Sequence, residues 1–441
     1  MENLLHIMLK ETELNVDLKV KPLQLGADCM WLVYFESVVN FQETIEFIWN
    51  SGITPSSPFS DICNHLTGNK WSESQMKELH QGRVAVLDTN GESAFSFQGK
   101  PTNLSRGINS PDTEYMPLAP AIAFTEPLAA NIGLLRKAVN SQFLIAEGFT
   151  FAGDSTKKAS IIYHAQRVDK ELLKQIRSCL QQASNRELKN DQNLTQILGF
   201  NRLDIIPPYY KTELPLQATS SLMEGRVLLF IDGEPIAYVL PFLFNDLIAL
   251  EWDKQLPLLI MLGLRCLRLL SLIIALLAPG LYVALVSVNP ETLRIELALS
   301  VASSRIGIPL PTFLEMLLLI IVSEISIEAT QRLPKVIGAS VTLTSGIVLG
   351  TAIVDAKLVS SLVIIVLSIS VTANFAFPNY LNSLIIRKMK IGILILSGML
   401  GVFGMFAGFI AICFYVCGLE RFGIPFMSFL DSRRLGQPSI K

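Results

Sequence analysis

Charge is scarce in this chain. Only 17% of its 441 residues are Asp, Glu, Lys or Arg, and their formal balance is −2. No basic field is left over to attract nucleic acid. Histidine is scarcer still: His6, His65, His80 and His164 lie far apart, and none has the spacing of metal ligands. The six cysteines (Cys29, Cys63, Cys179, Cys266, Cys413, Cys417) are scattered singly with no CxxC, the pattern of a reducing compartment. Cys413 and Cys417 stand one helical turn apart in an apolar run and read as packed thiols. The first twenty residues lack a basic stretch followed by an apolar core, so no signal peptide is expected and the first half is expected to stay in the cytosol. There is no phosphate loop, no GxGxxG after a strand, and no Ser/His/Asp or Cys/His set that spacing could support. No enzyme, cofactor or metal site is expected.

What is present divides in two. A mean hydropathy of +0.44 averages over a normally charged half, up to about Trp252, and a largely apolar half after Leu256. The expected fold is an α/β two-lobed soluble N-terminal domain followed by an all-α multi-span membrane domain. The expected boundaries are a first lobe over 1–115, a linker and bridging helix over 116–139, and a second lobe over 140–250. A membrane domain of four to five apolar helices follows over 255–417, and a tail over 418–441. The lobes read as an internal duplication. HQGRVAVLDTNGESAFSF (His80 to Phe97) aligns with MEGRVLLFIDGEPIAYVL (Met223 to Leu240): strand, Asp-containing turn with Gly91 or Gly233, strand. Upstream, Cys29 to Asn50 parallels Lys158 to Leu180, each a buried strand followed by an amphipathic helix. Leu172, Leu173, Ile176 and Leu180 mark the apolar stripe in the second copy; Thr44, Ile45 and Ile48 mark a weaker one in the first. Asp88 and Asp232 read as turn residues. Between the copies, Arg106 to Pro120 reads as loop, and Phe124 to Val139 as a helix N-capped by Thr125.

In the apolar half, Leu269 to Val288 reads as a first span, broken by Pro279 and Gly280, with Lys254, Arg265 and Arg268 placing its start on the cytoplasmic side. A polar connection over Asn289 to Ile308 follows. The next segment carries charge. From Pro311 to Leu333 no breaker intervenes, Pro309 and Pro311 flank its start, and Pro334 follows its end. Glu324, Glu328 and Arg332 recur every four residues and share a face; Glu315 lies near the opposite side. Such a helix needs water or protein neighbours along its stripe, so these four residues are the candidate ion path or gate. The same residues also fit an ordinary i,i+4 pair at headgroup level. Ile337 to Val354 is rich in small residues, and Gly346 and Gly350 form a GxxxG suited to helix packing. Leu358 to Phe377 and Ile391 to Val416 read as further spans, the last with packing glycines Gly404 and Gly408. The basic clusters Arg387–Lys390 and Arg421–Lys441 both prefer the inside, which five full crossings cannot satisfy. One segment is therefore expected to be re-entrant or to lie flat, and the carboxylate helix is the candidate.

Beyond about residue 120 the chain resembles the A subunit of GerA-type spore germination receptors. The resemblance rests on FTEPLAANIGLLRK (Phe124 to Lys137), EGRVLLFIDGEP (Glu224 to Pro235), LAPGLYVAL (Leu277 to Leu285), SSRIGIPLPTFLE (Ser303 to Glu315), EATQRLP (Glu328 to Pro334) and FGIPF (Phe422 to Phe426), in that order. It implies a protein of the spore inner membrane with a cytoplasmic two-lobed N-terminal domain. The implied partners are a transporter-like B subunit and a lipoprotein C subunit. Such receptors sense nutrients and trigger release of monovalent cations and then dipicolinate. The A subunit is implied to be a homo-oligomeric, gated cation channel, with the nutrient pocket on the B subunit. The family's charged run before the bridging helix is here Leu118, Ala119, Pro120, Ala121, Ile122; its Thr-Glu-Arg-Pro is Thr212, Glu213, Leu214, Pro215; and Ile306 replaces an acidic residue after Arg305. Salt bridges between the lobes are not expected from these positions. A non-conducting scaffold for the partner subunits is the rival reading. A transporter component is another, but no inverted repeat supports it.

Overall fold

A computed structural model describes residues 4–25, 28–51, 59, 62–63, 66, 69–70, 76–88, 93–102, 122–152, 157–183, 188, 191–201, 203–332, 346–347, 350–377 and 379–428. The chain divides into two compact units. The first is Met1–Leu243 together with Glu420–Ile424 and Ser428–Lys441; the second is Phe244–Leu419 together with Pro425–Met427.

In the first unit, the opening lobe runs α1 (Leu4–Leu14), β1 (Leu18–Leu25), β2 (Asp28–Phe35), α2 (Phe41–Asn50), β3 (Asn69–Lys70), α3 (Met76–His80), β4 (Arg83–Leu87) and β5 (Ala94–Gln98). After the bridging helix α4 (Leu128–Val139), the second lobe runs β6 (Leu144–Phe151), β7 (Lys157–His164), α5 (Lys170–Gln182), α6 (Asp191–Ile197), β8 (Tyr210–Thr212), α7 (Pro215–Met223), β9 (Val227–Ile231) and β10 (Ala237–Leu240). The sheets are ordered β1-β2-β4-β5-β3 and β6-β7-β9-β10-β8. These are the same wiring, first strand to first and third to third, and the two segment pairs matched by sequence sit at equivalent positions. Each amphipathic helix turns its stripe inward: Thr44 and Ile48 are buried on α2, and Leu172, Leu173, Ile176 and Leu180 on α5.

Two details of the bridge differ from expectation. Helix α4 starts at Leu128 with Pro127 as its N-cap residue, because Pro cannot donate into a preceding turn. Asp232, expected as a turn residue alone, supplies the missing cap by accepting from Leu128 N at 3.1 Å, while Thr125 instead donates its N–H to Asn131 Oδ1. The segment Arg106 to Pro120 and Gly91 lie outside the described residues. The lobes are joined by charge after all. Arg136 on α4, wholly buried, donates Nε and Nη2 to Asp17 at 2.7 Å, Nη2 to Asn15, and Nη1 to Leu144 O and His80 Nδ1. Its guanidinium also lies 4.1 Å from the Phe35 ring centroid. These partners come from both lobes, at positions other than the altered ones. Burial and the Arg136 charge lower the His80 pKa from 6.5 to about 3, so His80 is neutral and Nδ1 can accept.

The second unit contains α8 (Asn245–Ile248), α9 (Leu258–Val283) extended by a π-turn (Ala284–Val288), α10 (Ile295–Ser304), α11 (Thr312–Arg332), α12 (Ser361–Asn374) and α13 (Tyr380–Gly418). Helix α10 occupies part of the expected polar connection Asn289 to Ile308; its polar residues are confined to Glu296 and the serines, and Ile295, Leu297 and Leu299 are exposed. Helix α9 passes through Pro279 unbroken. The larger correction concerns α13. Gly401 there has φ 64° and ψ −141°, which only glycine adopts readily, and the helix folds back on itself. Gly408 lies against Ile393, with 3.4 Å between an added Cβ and Ile393 Cα; a straight helix would hold residues fifteen apart about 22 Å from each other. The chain thus reverses within α13, with an outgoing arm 380–400 and a returning arm 402–418, whereas the carboxylate helix α11 is continuous over Thr312–Arg332. At the turn, Asn289 Oδ1 accepts from Val402 N at 3.1 Å. Cys413 and Cys417 are exposed on the returning arm, not packed within this chain.

Hydrogen bonds fix the helix directions. Ser397 Oγ donates to Gly280 O, and with the Asn289–Val402 bond this makes α9 and the outgoing arm parallel. Ser370 Oγ donates to Ala275 O, and Ser360 meets Tyr282, so α12 runs opposite to α9. Phe313 packs at Gly398 while Glu324 reaches Arg387, so α11 runs opposite to the outgoing arm.

Candidate functional site

Helix α11 opens just after Pro309 and Pro311, whose fixed φ suits a helix entry, and its inner face contributes Met316, Leu319 and Ile320 to a core with Val283, Val363, Leu367 and Leu394. The four candidate residues fall into two groups on it. Glu315 has no exposed surface. Its Oε1 accepts from Arg305 Nη2 and its Oε2 from Ser360 N, each at 3.0 Å. Ser360 is the N-cap residue of α12, so Glu315 places a carboxylate where that helix carries partial positive charge. A buried carboxylate is tolerated only with such partners.

Glu324, Glu328 and Arg332 do share one face, and they line an open concavity of about 540 Å³ with Ile325, Ala329 and Lys388. Arg387 Nη1 donates to Glu324 Oε2 at 3.1 Å; this arginine is nearly buried and its guanidinium lies 5.6 Å from the Tyr380 ring centroid. Arg332 Nη2 donates to Glu328 Oε1 at 2.7 Å, the i,i+4 pair allowed by the spacing, with side chains 78% and 55% exposed. Lys388 makes no ion pair among the described residues. Glu315 therefore stands apart from the concavity, Lys388 joins its lining, and Arg387 pairs with Glu324 at its edge. The sequence signal for them is the Arg387–Lys390 cluster, which the inside preference of basic residues also accounts for. Among the described residues no cluster of His, Cys, Asp or Glu could hold a metal ion.

Of the packing glycines, Gly404 and Gly408 sit between the arms of α13; a Cβ on Gly404 would overlap the Leu396 carbonyl oxygen. Nothing in this chain stands within 4 Å of a Cβ built on Gly346 or Gly350, while Thr342 and Ser345 lie outside the described residues. The stretches Leu258–Val288 and Tyr380–Gly418 are long and apolar enough to cross a membrane.

A family model described as Bacillus/Clostridium GerA spore germination protein matches residues 6–437. The chain belongs to the GerA family. Spore germination protein B1 of Bacillus subtilis strain 168 is 31% identical to this GerA-family chain over 363 residues, covering 80% of it and 75% of B1. Spore germination protein GerLA of Bacillus cereus is 27% identical over 380 residues, covering 86% and 74%. The crystal structure of the N-terminal domain of the A subunit of the Bacillus megaterium spore germinant receptor GerK3 aligns with 54% of this chain and 94% of that domain, at 18% identity and a TM-score of 0.39.

Proposed function

We propose that this GerA-family chain is the A subunit of a nutrient-germinant receptor in the spore inner membrane, acting with B-type and C-type subunits, and that α11 lends its polar face to a hydrated cation path in a homo-oligomer. The observation that carries the path is the charged concavity on a largely apolar unit. Glu328 and Arg332 are too exposed to face hydrocarbon, which would cost several kcal/mol per charge, so water or a second copy covers them. The helix directions support an arrangement in which the chain crosses the membrane and ends on the face where it began. Lys254, Arg265, Arg268, Arg332, Arg387 and Lys388 then gather at the end of the unit nearest α8, and Arg294, Arg305 and Lys357 at the other. That bias favours a cytoplasmic α8 end, with the lobes before it on the same side. Because α13 reverses, the two basic clusters no longer conflict.

The test is the Glu324→Gln/Glu328→Gln double variant in a reconstituted receptor. Cation flux is expected to fall at least tenfold with assembly unchanged; unaltered flux refutes the path. A non-conducting scaffold is the second reading. It is favoured by the pairing of every candidate carboxylate with an arginine of its own chain: Glu315 with Arg305, Glu324 with Arg387, Glu328 with Arg332. Purified A subunit in planar bilayers separates the two, since silence with every partner and nutrient present favours the scaffold.

A further inference from the structure

The FGIPF motif plays no part in the concavity. It lies past the returning arm of α13, in a small hairpin of β11 (Glu420–Arg421) and β12 (Ile424–Pro425) that turns at Phe422 (φ 53°) and Gly423 (φ 76°). The tip of this hairpin is built into the second lobe. Phe422 is 7% exposed and belongs to the core that contains Leu180, Ile197 and Leu198; its ring meets Phe200 edge-on at 5.0 Å, and Ile424 packs on the same core. Arg421, 3% exposed, donates Nη1 to Asp204 Oδ2 at 2.9 Å and Nη2 to Ile206 O at 2.7 Å, with its guanidinium 4.6 Å from the Phe200 ring centroid. A buried arginine with a carboxylate, a carbonyl and an aromatic face is costly to withdraw, because withdrawal strands Asp204 and the Ile206 carbonyl.

We propose that Arg421–Ile424 is a plug by which the second lobe grips the end of the returning arm. The chain leaves the first unit at Leu243–Phe244 and first re-enters it at Leu419–Glu420, and the plug is that re-entering segment; while it is seated, the second lobe holds the chain past α13 even when the Leu243–Phe244 connection is cut.

The experiment uses the full chain in detergent with a protease site inserted between Leu243 and Phe244. After cleavage the lobe fragment is expected to stay with the membrane fragment through washing, and Phe422→Ala is expected to release it at least tenfold faster. Amides 420–424 should exchange at least tenfold faster in the same variant, with β6 and β7 unchanged. Arg421→Gln is the second variant should Phe422→Ala fail to fold, and it is expected to act in the same direction. Retention of the lobe fragment by both variants, or equal exchange at 420–424, overturns the plug. These readouts need no nutrient and no ion flux, so they stand or fall apart from the receptor reading.

Discussion

Two arginine–carboxylate clusters, one in each unit, use the same chemistry to different ends. At Arg136 every partner is inside: Asp17 takes two donors, and Asn15, Leu144 O and His80 take the rest. On α11 the Glu324–Arg387 pair is partly open, Glu328–Arg332 is in the open, and Lys388 adds a further cation. A closed cluster fixes two lobes in one arrangement. An open one holds charge where water and a neighbour can reach it. The contrast separates what stabilises this protein from what can act.

The largest expected effect of a break is at the closed cluster. Arg136→Ala strands Asp17 in the lobe junction and should cost about 3–5 kcal/mol, read as a lowered urea midpoint of the full chain. Glu324→Gln should cost less, about 1–3 kcal/mol, because Arg387 loses its carboxylate at a site that water can partly enter. His80 sharpens the comparison through pH. Its folded pKa is about 3, below the 6.5 of the unfolded chain, so its contribution is complete above pH 6.5 and is lost as pH falls from there toward 3. Relative to His80→Asn, wild-type stability should drop by up to about 1.4 kcal/mol per pH unit in that window, seen in paired melts. The smallest effect is expected at the exposed pair: Arg332→Gln should change stability by only about 0.3–0.5 kcal/mol, and a larger loss in the same melts would mean that the pair is covered.

Much of this was legible from residues. The duplicated strand–turn–strand segments located both sheets because glycine and aspartate at tight turns leave a local signature. Pro309 and Pro311 marked the start of α11 within a residue or two, and the four-residue spacing of Glu324, Glu328 and Arg332 put them on one face. What escaped was non-local. Hydropathy cannot tell one long apolar helix from two folded arms; the clue was that Tyr380–Gly418 is 39 residues, far beyond the roughly 20 that cross a bilayer, with glycines at 401, 404 and 408. Helix α10 was hidden by the polar residues on either side of it. The partners of Glu315, at Arg305 and Ser360, and of Arg136, at Asp17, depend on folding that no spacing reports.

The reversal at Gly401 has a practical side. A single residue turns the chain, and the arms meet at once, leaving no loop at that end of the hairpin. An epitope tag, a glycosylation sequon or a labelling cysteine placed there would have to pry the arms apart to be seen. Mapping that relies on such reporters would record α13 as one uninterrupted stretch and miss the reversal.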